Sequence, residues 1–453
     1  MKAVYFLGIG GIGMSAIARY YLRQGWRVGG YDRVRSPLCT ELEKEGAEIH
    51  YVDDAGLIDP VFLREDALVV YTPAIPRDMG ERVVLERMGR RLWKRAEVLG
   101  RLTSEGKALC VAGTHGKTTT TAMLAHVLEQ SGVGCNAFLG GIAKNYGTNY
   151  LLAPQSEWMV VEADEFDRSF HHLRPYASVI TATDADHLDV YGTEEAYLEG
   201  FAHYSSLVGE ALIVHTGLRL VPRVAEGVKL WTYGRGEGDF RAERVRIGGG
   251  RIVFDLVSPL GNVADIELGV PVSINIENGV AACALAQLAG ADGEALRRGM
   301  ATFEGVERRF DFHIKDDDCV LVSDYAHHPE EIRQAVGSLR EVFGGRRLLG
   351  VFQPHLYSRT RDFYKEFAAA LSLLDEVWLT EIYPARELPI EGVSSKLIYD
   401  LLEPGVEKHL VASGDVARRL GEEATDVVIV LGAGDLDNDM DRFAEVLRGK
   451  RGR

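Results

Sequence analysis

No run of apolar residues in this chain approaches the roughly twenty that a membrane-spanning helix needs, which excludes an integral helical membrane protein. A secretory leader is not expected: the apolar start is broken at once by Gly8-Ile9-Gly10-Gly11-Ile12-Gly13 and then by Arg19. Basic charge is not in excess. Lys and Arg number 51 against 67 Asp and Glu, a net charge of −16, whereas nucleic-acid binders carry a basic footprint. A polyanionic ligand would fit only where Lys, Arg, backbone N–H groups or a cation reverse the local field. Cysteine is sparse and scattered (Cys39, Cys110, Cys135, Cys283 and Cys319), with no C-x-x-C pair. That pattern excludes a disulfide framework or a zinc site and predicts buried free thiols in a reducing compartment. Internal repeats and low-complexity linkers are not found either. What is present is an ordinary core-forming composition, 46% hydrophobic and 26% charged, so a soluble cytoplasmic protein is expected.

The length of 453 residues suits two to four domains at roughly 150 residues each. The first segment reads as βαβ units with a parallel sheet: strands at Ala3–Leu7, Val28–Tyr31 and Ala67–Tyr71, and a helix at Met14–Gln24. A second segment opens with strand Ala108–Ala112 and helix Thr119–Gln130. Strands at Trp158–Glu162 and Val179–Thr183, an antiparallel patch in 229–268 and helix Asn275–Leu288 follow. A third carries strands at Cys319–Ser323, Leu348–Phe352, Glu376–Thr380 and Val427–Leu431, with a frayed end at Gly449–Arg453. The fold class is therefore α/β, in three units: 1–106; 107–310, with the extra β patch; and 311–453.

Gly113-Thr114-His115-Gly116-Lys117-Thr118, between a strand and a helix, is the strongest motif. Backbone N–H groups at such a helix start cradle anions. Lys117 reaches the β- and γ-phosphates, and the Thr118 hydroxyl joins a Mg²⁺ shell. Val111 stands where the full phosphate-loop pattern has its first Gly. Gly8-x-Gly10-Gly11-Ile12-Gly13 matches a pyrophosphate-binding loop, with Asp32 where a ribose-binding acid would stand. The loop is compatible with NAD, another nucleotide or a diphosphate sugar. Two acidic clusters end strands: Glu162-Ala163-Asp164-Glu165-Phe166-Asp167 and Asp184-Ala185-Asp186-His187-Leu188-Asp189. Oxygen ligands and one imidazole converging on a triphosphate point to Mg²⁺. Arg308-Arg309-Phe310 reads as a surface pair or an arginine finger. Asp324-Tyr325-Ala326-His327-His328-Pro329 pairs two histidines. His355 and Arg359 lie in a polar loop after a strand, where Arg can clamp a carboxylate.

Taken together these motifs resemble the Mur ligase family of cell-wall enzymes. The matching stretches are Gly8–Ser15, Gly113–Thr120, Glu162–Asp167, Asp186–Asp189 with Tyr191-Gly192, Asn275–Asn278, Arg308–Asp311, Asp324–Pro329, Gln353–Asp362 and Gly432–Asp435. They run in family order along nearly the whole chain, and the resemblance implies a Rossmann-like domain at 1–106, a central P-loop ATPase domain at 107–310 and a second Rossmann-like domain at 311–453. The resemblance implies an ATP- and Mg²⁺-dependent amide ligase of peptidoglycan precursor synthesis, joining L-alanine to the lactyl carboxylate of UDP-N-acetylmuramate through an acyl phosphate. A recycling ligase that attaches a preformed peptide is the alternative. It implies Lys117, Glu162, His187 and Arg309 as catalytic residues, with Thr118, Glu162 and His187 on the metal. ATP would be held by Gly113, Thr114, His115, Gly116, Lys117, Thr118, Thr119, Asn278, Arg309 and Asp324. The UDP-sugar would lie on Gly8, Gly10, Gly11, Ile12, Gly13, Asp32 and Thr72, and the amino acid on His327, His355 and Arg359. A monomer or weak homodimer is expected, with no nucleic-acid partner. Ile274 and Leu356 stand where the family has His and Arg. Several members place a carbamylated lysine after the His187 motif, and this chain has no Lys between Asn145 and Lys229.

Overall fold

The structure, a computed structural model, describes residues 2–449 except 185–187 and 386; the side chains of Leu188 and Asp189 are not described. Three sheets are built, mainly from short runs of Val, Ile, Leu and Ala. Such runs, buried on both faces, suit parallel strands covered by helices. The first sheet has five strands in the order Glu48–His50, Arg27–Tyr31, Ala3–Leu7, Leu68–Tyr71, Leu92–Lys94, all parallel. Its first strand, Ala3–Leu7, is central and wholly buried.

The second sheet has ten strands. Its parallel centre runs Ala211–His215, Pro175–Ile180, Lys107–Ala112, Trp158–Ala163, Asn136–Ala143, and Thr148–Leu151 closes one edge antiparallel to Asn136–Ala143. On the other side follow Lys229–Arg235, Phe240–Gly248, Arg251–Val257 and Val263–Glu267. The expected antiparallel patch begins differently: Lys229–Arg235 pairs in parallel with both Ala211–His215 and Phe240–Gly248. Gly236 (φ +83°) and Gly238 (φ +96°) let the chain double back between them. The expected strand Val179–Thr183 runs instead over Pro175–Ile180. Thr181 and Ala182 leave the sheet because they hold the phosphate loop: Thr181 Oγ1 donates to Ala112 O and His115 O, and Ala182 O accepts from Thr114 N.

The third sheet has six strands: Asp311–Lys315, Val320–Asp324, Val427–Leu431, Leu348–Phe352, Glu376–Leu379, Glu407–Leu410. Only the first is antiparallel to its neighbour. The late strand Val427–Leu431 is inserted at the centre and is fully buried.

The chain condenses into two compact units. One comprises 1–244, 255–266 and 277–303, and the other 245–254, 267–276 and 304–453. The first holds the first sheet and the parallel centre of the second. A shared apolar core joins them, with Ile17 and Leu99 beside Phe138 and Tyr150. A buried polar network crosses the same seam. Arg19 donates to Glu45 and Glu41 and also contacts Asn149 Oδ1, while Asn149 Nδ2 donates to Ile12 O and to Ser15 Oγ, both 2.9 Å or less. All five cysteines are free and buried.

Candidate active site

Strand Lys107–Ala112 ends on Gly113, whose φ of +134° and surroundings admit no side chain: a Cβ would fall 2.7 Å from Ala182 N. Gly116, at φ +79°, is the N-cap of helix Lys117–Ser131. A Cβ there would meet Asn278 Oδ1 at 2.7 Å. No side chain among the described residues caps this helix, so its first N–H groups are left for an anion. The helix starts two residues before the expected Thr119, which puts Lys117 and Thr118 in its first turn. Lys117 Nζ folds back on the loop, donating to Gly113 O (2.6 Å) and to both oxygens of Glu165 (2.9 and 2.8 Å). Thr118 Oγ1 donates to Glu162 Oε1 at 3.1 Å. Thr114 Oγ1 bonds Asp184 O at 2.8 Å, and His115 lies 3.9 Å from the Asp184 carboxylate. Asn278 is tied in through Thr120 Oγ1 at 3.2 Å. Thr119 is half-buried in the same turn.

The glycine loop follows the same plan. Gly8, at φ +88°, donates to Tyr31 O at 2.8 Å, and its α-carbon faces Thr72 so closely that a Cβ would meet Thr72 Cγ2 at 2.8 Å. Asp32 accepts from Gly10 N (2.8 Å) through one oxygen and from Val34 N (3.1 Å) through the other, so it braces the loop. Helix Ile12–Arg23 starts directly after Gly11, again without a side-chain cap and two residues earlier than expected. A cavity of about 140 Å³ runs from this loop to Glu162, the partner of Thr118. Ile12, Gly13, Arg95, Phe138, Glu162 and Asp164 are among its lining residues.

The second compact unit carries another group. Arg309 sits between Arg308 (φ +63°) and Phe310 (φ +44°), two non-glycine residues in the left-handed region, a strain that collects at functional sites. Its guanidinium lies 5.4 Å from the Tyr325 ring centre. Asp324 ends a strand and accepts from Phe310 N and Ala326 N, both at 2.8 Å. Burial pushes its carboxyl up to about 6, although Arg309 and these donors pull the other way. His327 Nδ1 bonds Tyr325 O at 2.9 Å, and burial lowers its pKa. Its ring meets that of His355 edge-on at 6.2 Å. His355 in turn stacks on Tyr383 and lies 3.2 Å from Arg359 Nη1.

The structure thus gathers Gly113–Thr119, Glu162 and Asn278 into one locus, Gly8–Gly13 with Asp32 and Thr72 into a second, and Arg309, Asp324, His327, His355 and Arg359 into a third. Asp186 and His187 lie outside the described residues. Two participants went unread in the sequence. Glu165 stands inside an acidic cluster with nothing to mark it as the partner of Lys117. Arg95 opens helix Arg95–Thr103 without any motif. Chemically, a hydroxyl and a carboxylate 3.1 Å apart are hard oxygen donors that suit Mg²⁺. Beside them are a lysine and open helix N–H groups that suit a triphosphate.

Comparison with known proteins points the same way. The family model described as Mur ligase family, catalytic domain, matches residues 3–107; Mur ligase middle domain matches 111–286; and Mur ligase, glutamate ligase domain, matches 308–449. A UDP-N-acetylmuramate–L-alanine ligase of Phocaeicola vulgatus is 60% identical, with 99% of each chain covered. One from Parabacteroides distasonis is 54% identical over 99% of this chain and 97% of its own. Among solved structures, a UDP-N-acetylmuramate–alanine ligase from Thermotoga maritima superposes with a TM-score of 0.83 at 28% identity, covering 100% of both chains. A murein peptide ligase from Psychrobacter arcticus shares the fold at a TM-score of 0.66 and 20% identity, over 99% of this chain and 98% of its own.

Proposed function

Because this chain belongs to the Mur ligase family, we propose that it joins L-alanine to the lactyl carboxylate of UDP-N-acetylmuramate at the expense of ATP, a step of peptidoglycan precursor synthesis. The observation that carries this reading is the cavity connecting the glycine loop to Glu162, beside the phosphate loop. It would let a substrate anchored by its diphosphate extend its carboxylate toward a γ-phosphate.

The carboxylate attacks the γ-phosphorus, the bond to the β-bridging oxygen breaks, and ADP and an acyl phosphate result. The L-alanine amine then attacks the acyl carbon, and phosphate leaves from a tetrahedral intermediate. Lys117 and the open N–H groups of its helix hold the phosphates and spread the transferring charge, with Arg309 adding positive charge. Thr118 and Glu162, with His187 by family motif, would hold Mg²⁺; when bound it supplies Lewis-acid neutralisation of the phosphate oxygens. Asn278 and Asp324 would position the nucleotide. Gly8, Gly10, Gly11, Ile12, Gly13, Asp32 and Thr72 would take the UDP-sugar, and His327, His355 and Arg359 the carboxylate of the amino acid. The working domains in this reading are 1–106, 107–310 and 311–453. We also infer a cytoplasmic monomer or weak homodimer. No helix among the described residues is long and apolar enough to cross a membrane.

The test measures ADP release with UDP-N-acetylmuramate and L-alanine together, against controls lacking each. Release only with both is expected, and turnover indifferent to either substrate sinks the reading. Competing L-alanine against a preformed tripeptide separates it from the peptide-attaching alternative.

A further inference from the structure

The cavity between the glycine loop and Glu162 has an unbalanced charge. Among the described residues its lining includes two carboxylates, Glu162 and Asp164, and one cation, Arg95. The rest of the described lining is apolar or glycine, so Arg95 is the cationic side chain it offers to an entering anion. Arg95 is well placed to receive one. It opens helix Arg95–Thr103 and donates from Nη2 to Asp164 Oδ2 at 3.1 Å. Asp164 is its one hydrogen-bond partner among the described residues. An arginine has five N–H donors, so most remain for a ligand. The neighbouring Lys94 Nζ holds Asp167 at 2.9 Å, which pins this helix start to the loop after Glu162. On its other side the guanidinium lies across the start of helix Ile12–Arg23: a Cβ on Gly13 would fall 2.5 Å from Arg95 Nη1. Gly13 therefore makes room for Arg95 as well as for a phosphate.

We propose that Arg95 binds the lactyl carboxylate of the UDP-sugar and presents it to the γ-phosphate. The proposal rests on the function argued above. Asp164 serves as the counter-ion that orients the guanidinium, and the fork geometry of Arg matches a carboxylate. Arg95 lines the same cavity as the Ile12 helix start, where the diphosphate would bind, and Glu162, beside the phosphate loop, so the reacting group would enter a space that Arg95 borders.

Calorimetric titration without ATP tests this with two probes, UDP-N-acetylmuramate and UDP-N-acetylglucosamine, which is the same sugar nucleotide without the lactyl group. Loss of a charge-assisted contact should weaken binding about 10- to 100-fold. Arg95→Ala should show that loss for UDP-N-acetylmuramate and a change under about threefold for UDP-N-acetylglucosamine. Arg95→Lys should keep part of the preference, and it carries the test if the alanine variant does not fold. Equal weakening of both probes, or of neither, overturns the proposal. A wild-type protein that does not prefer UDP-N-acetylmuramate refutes the functional reading itself, an outcome distinct from a wrong assignment of Arg95.

Discussion

Lys117 Nζ lies 2.8 Å from Glu165 Oε2, and the Glu165 side chain is only 2% exposed. Burial raises the Glu165 pKa, and Lys117 is the main force pulling it back. Removing the lysine therefore takes away the largest influence holding down this buried carboxylate, whose pKa rises further. A group raised in the folded state lends stability below its unfolded pKa of about 4.3 and loses it as pH rises through the folded value. Lys117→Ala is thus expected to abolish ATP turnover and also to cost up to about 3–5 kcal/mol at neutral pH, with little cost near pH 4. Urea denaturation at two pH values reads this; an equal cost at both contradicts it. Adding Glu165→Gln should restore stability without restoring turnover. Asp324, pushed up to about 6 by burial, works in the same direction over a defined window. Its contribution is present below about pH 4 and lost as pH rises through 6. Asp324→Asn should flatten that part of a stability–pH profile.

At the scale of elements, glycines mark the places where strands hand over to function. Gly113 and Gly432 share a φ of +134° at the ends of strands Lys107–Ala112 and Val427–Leu431. A Cβ on Gly432 would lie 2.6 Å from the Gln353 carbonyl oxygen, a backbone atom that cannot yield easily. Gly432→Ala should cost about 2–5 kcal/mol from strain and overpacking, read as a lowered urea midpoint. Strands such as Ala3–Leu7, Leu348–Phe352 and Val427–Leu431 were legible to the residue, because short apolar runs with polar residues or glycine at their ends admit little else. The ends of other elements were less so. Helices begin at Ile12 and Lys117, two residues early, because an uncapped glycine start has no side-chain signal. Strand Pro175–Ile180 ends early because Thr181 is engaged by the phosphate loop. The same logic divides the site. Lys117, Thr118, Glu162 and Asp324 sit at strand ends or helix starts, where motif and topology coincide. Arg95 and Glu165 act through contacts made across 69 and 48 positions of chain, and no local pattern encodes those.

For the molecule as a whole, the five cysteines offer a global probe. All are buried and free, and burial pushes the thiols of Cys110 and Cys283 up to about 12. The thiolate is the reactive form. A disulfide-exchange reagent should therefore titrate fewer than about one thiol in the native protein and all five in denaturant; rapid native labelling would mean that a core opens. The placement of Val427–Leu431 between Val320–Asp324 and Leu348–Phe352 bears on how the protein is born. Synthesis releases the chain from its N-terminus, so the third sheet waits for its keystone until residue 431 has left the ribosome. Until then two apolar strands present unpaired edges, the template on which nascent chains aggregate. A stop codon shortly before Val427 would consequently be as harmful to solubility as one in mid-gene.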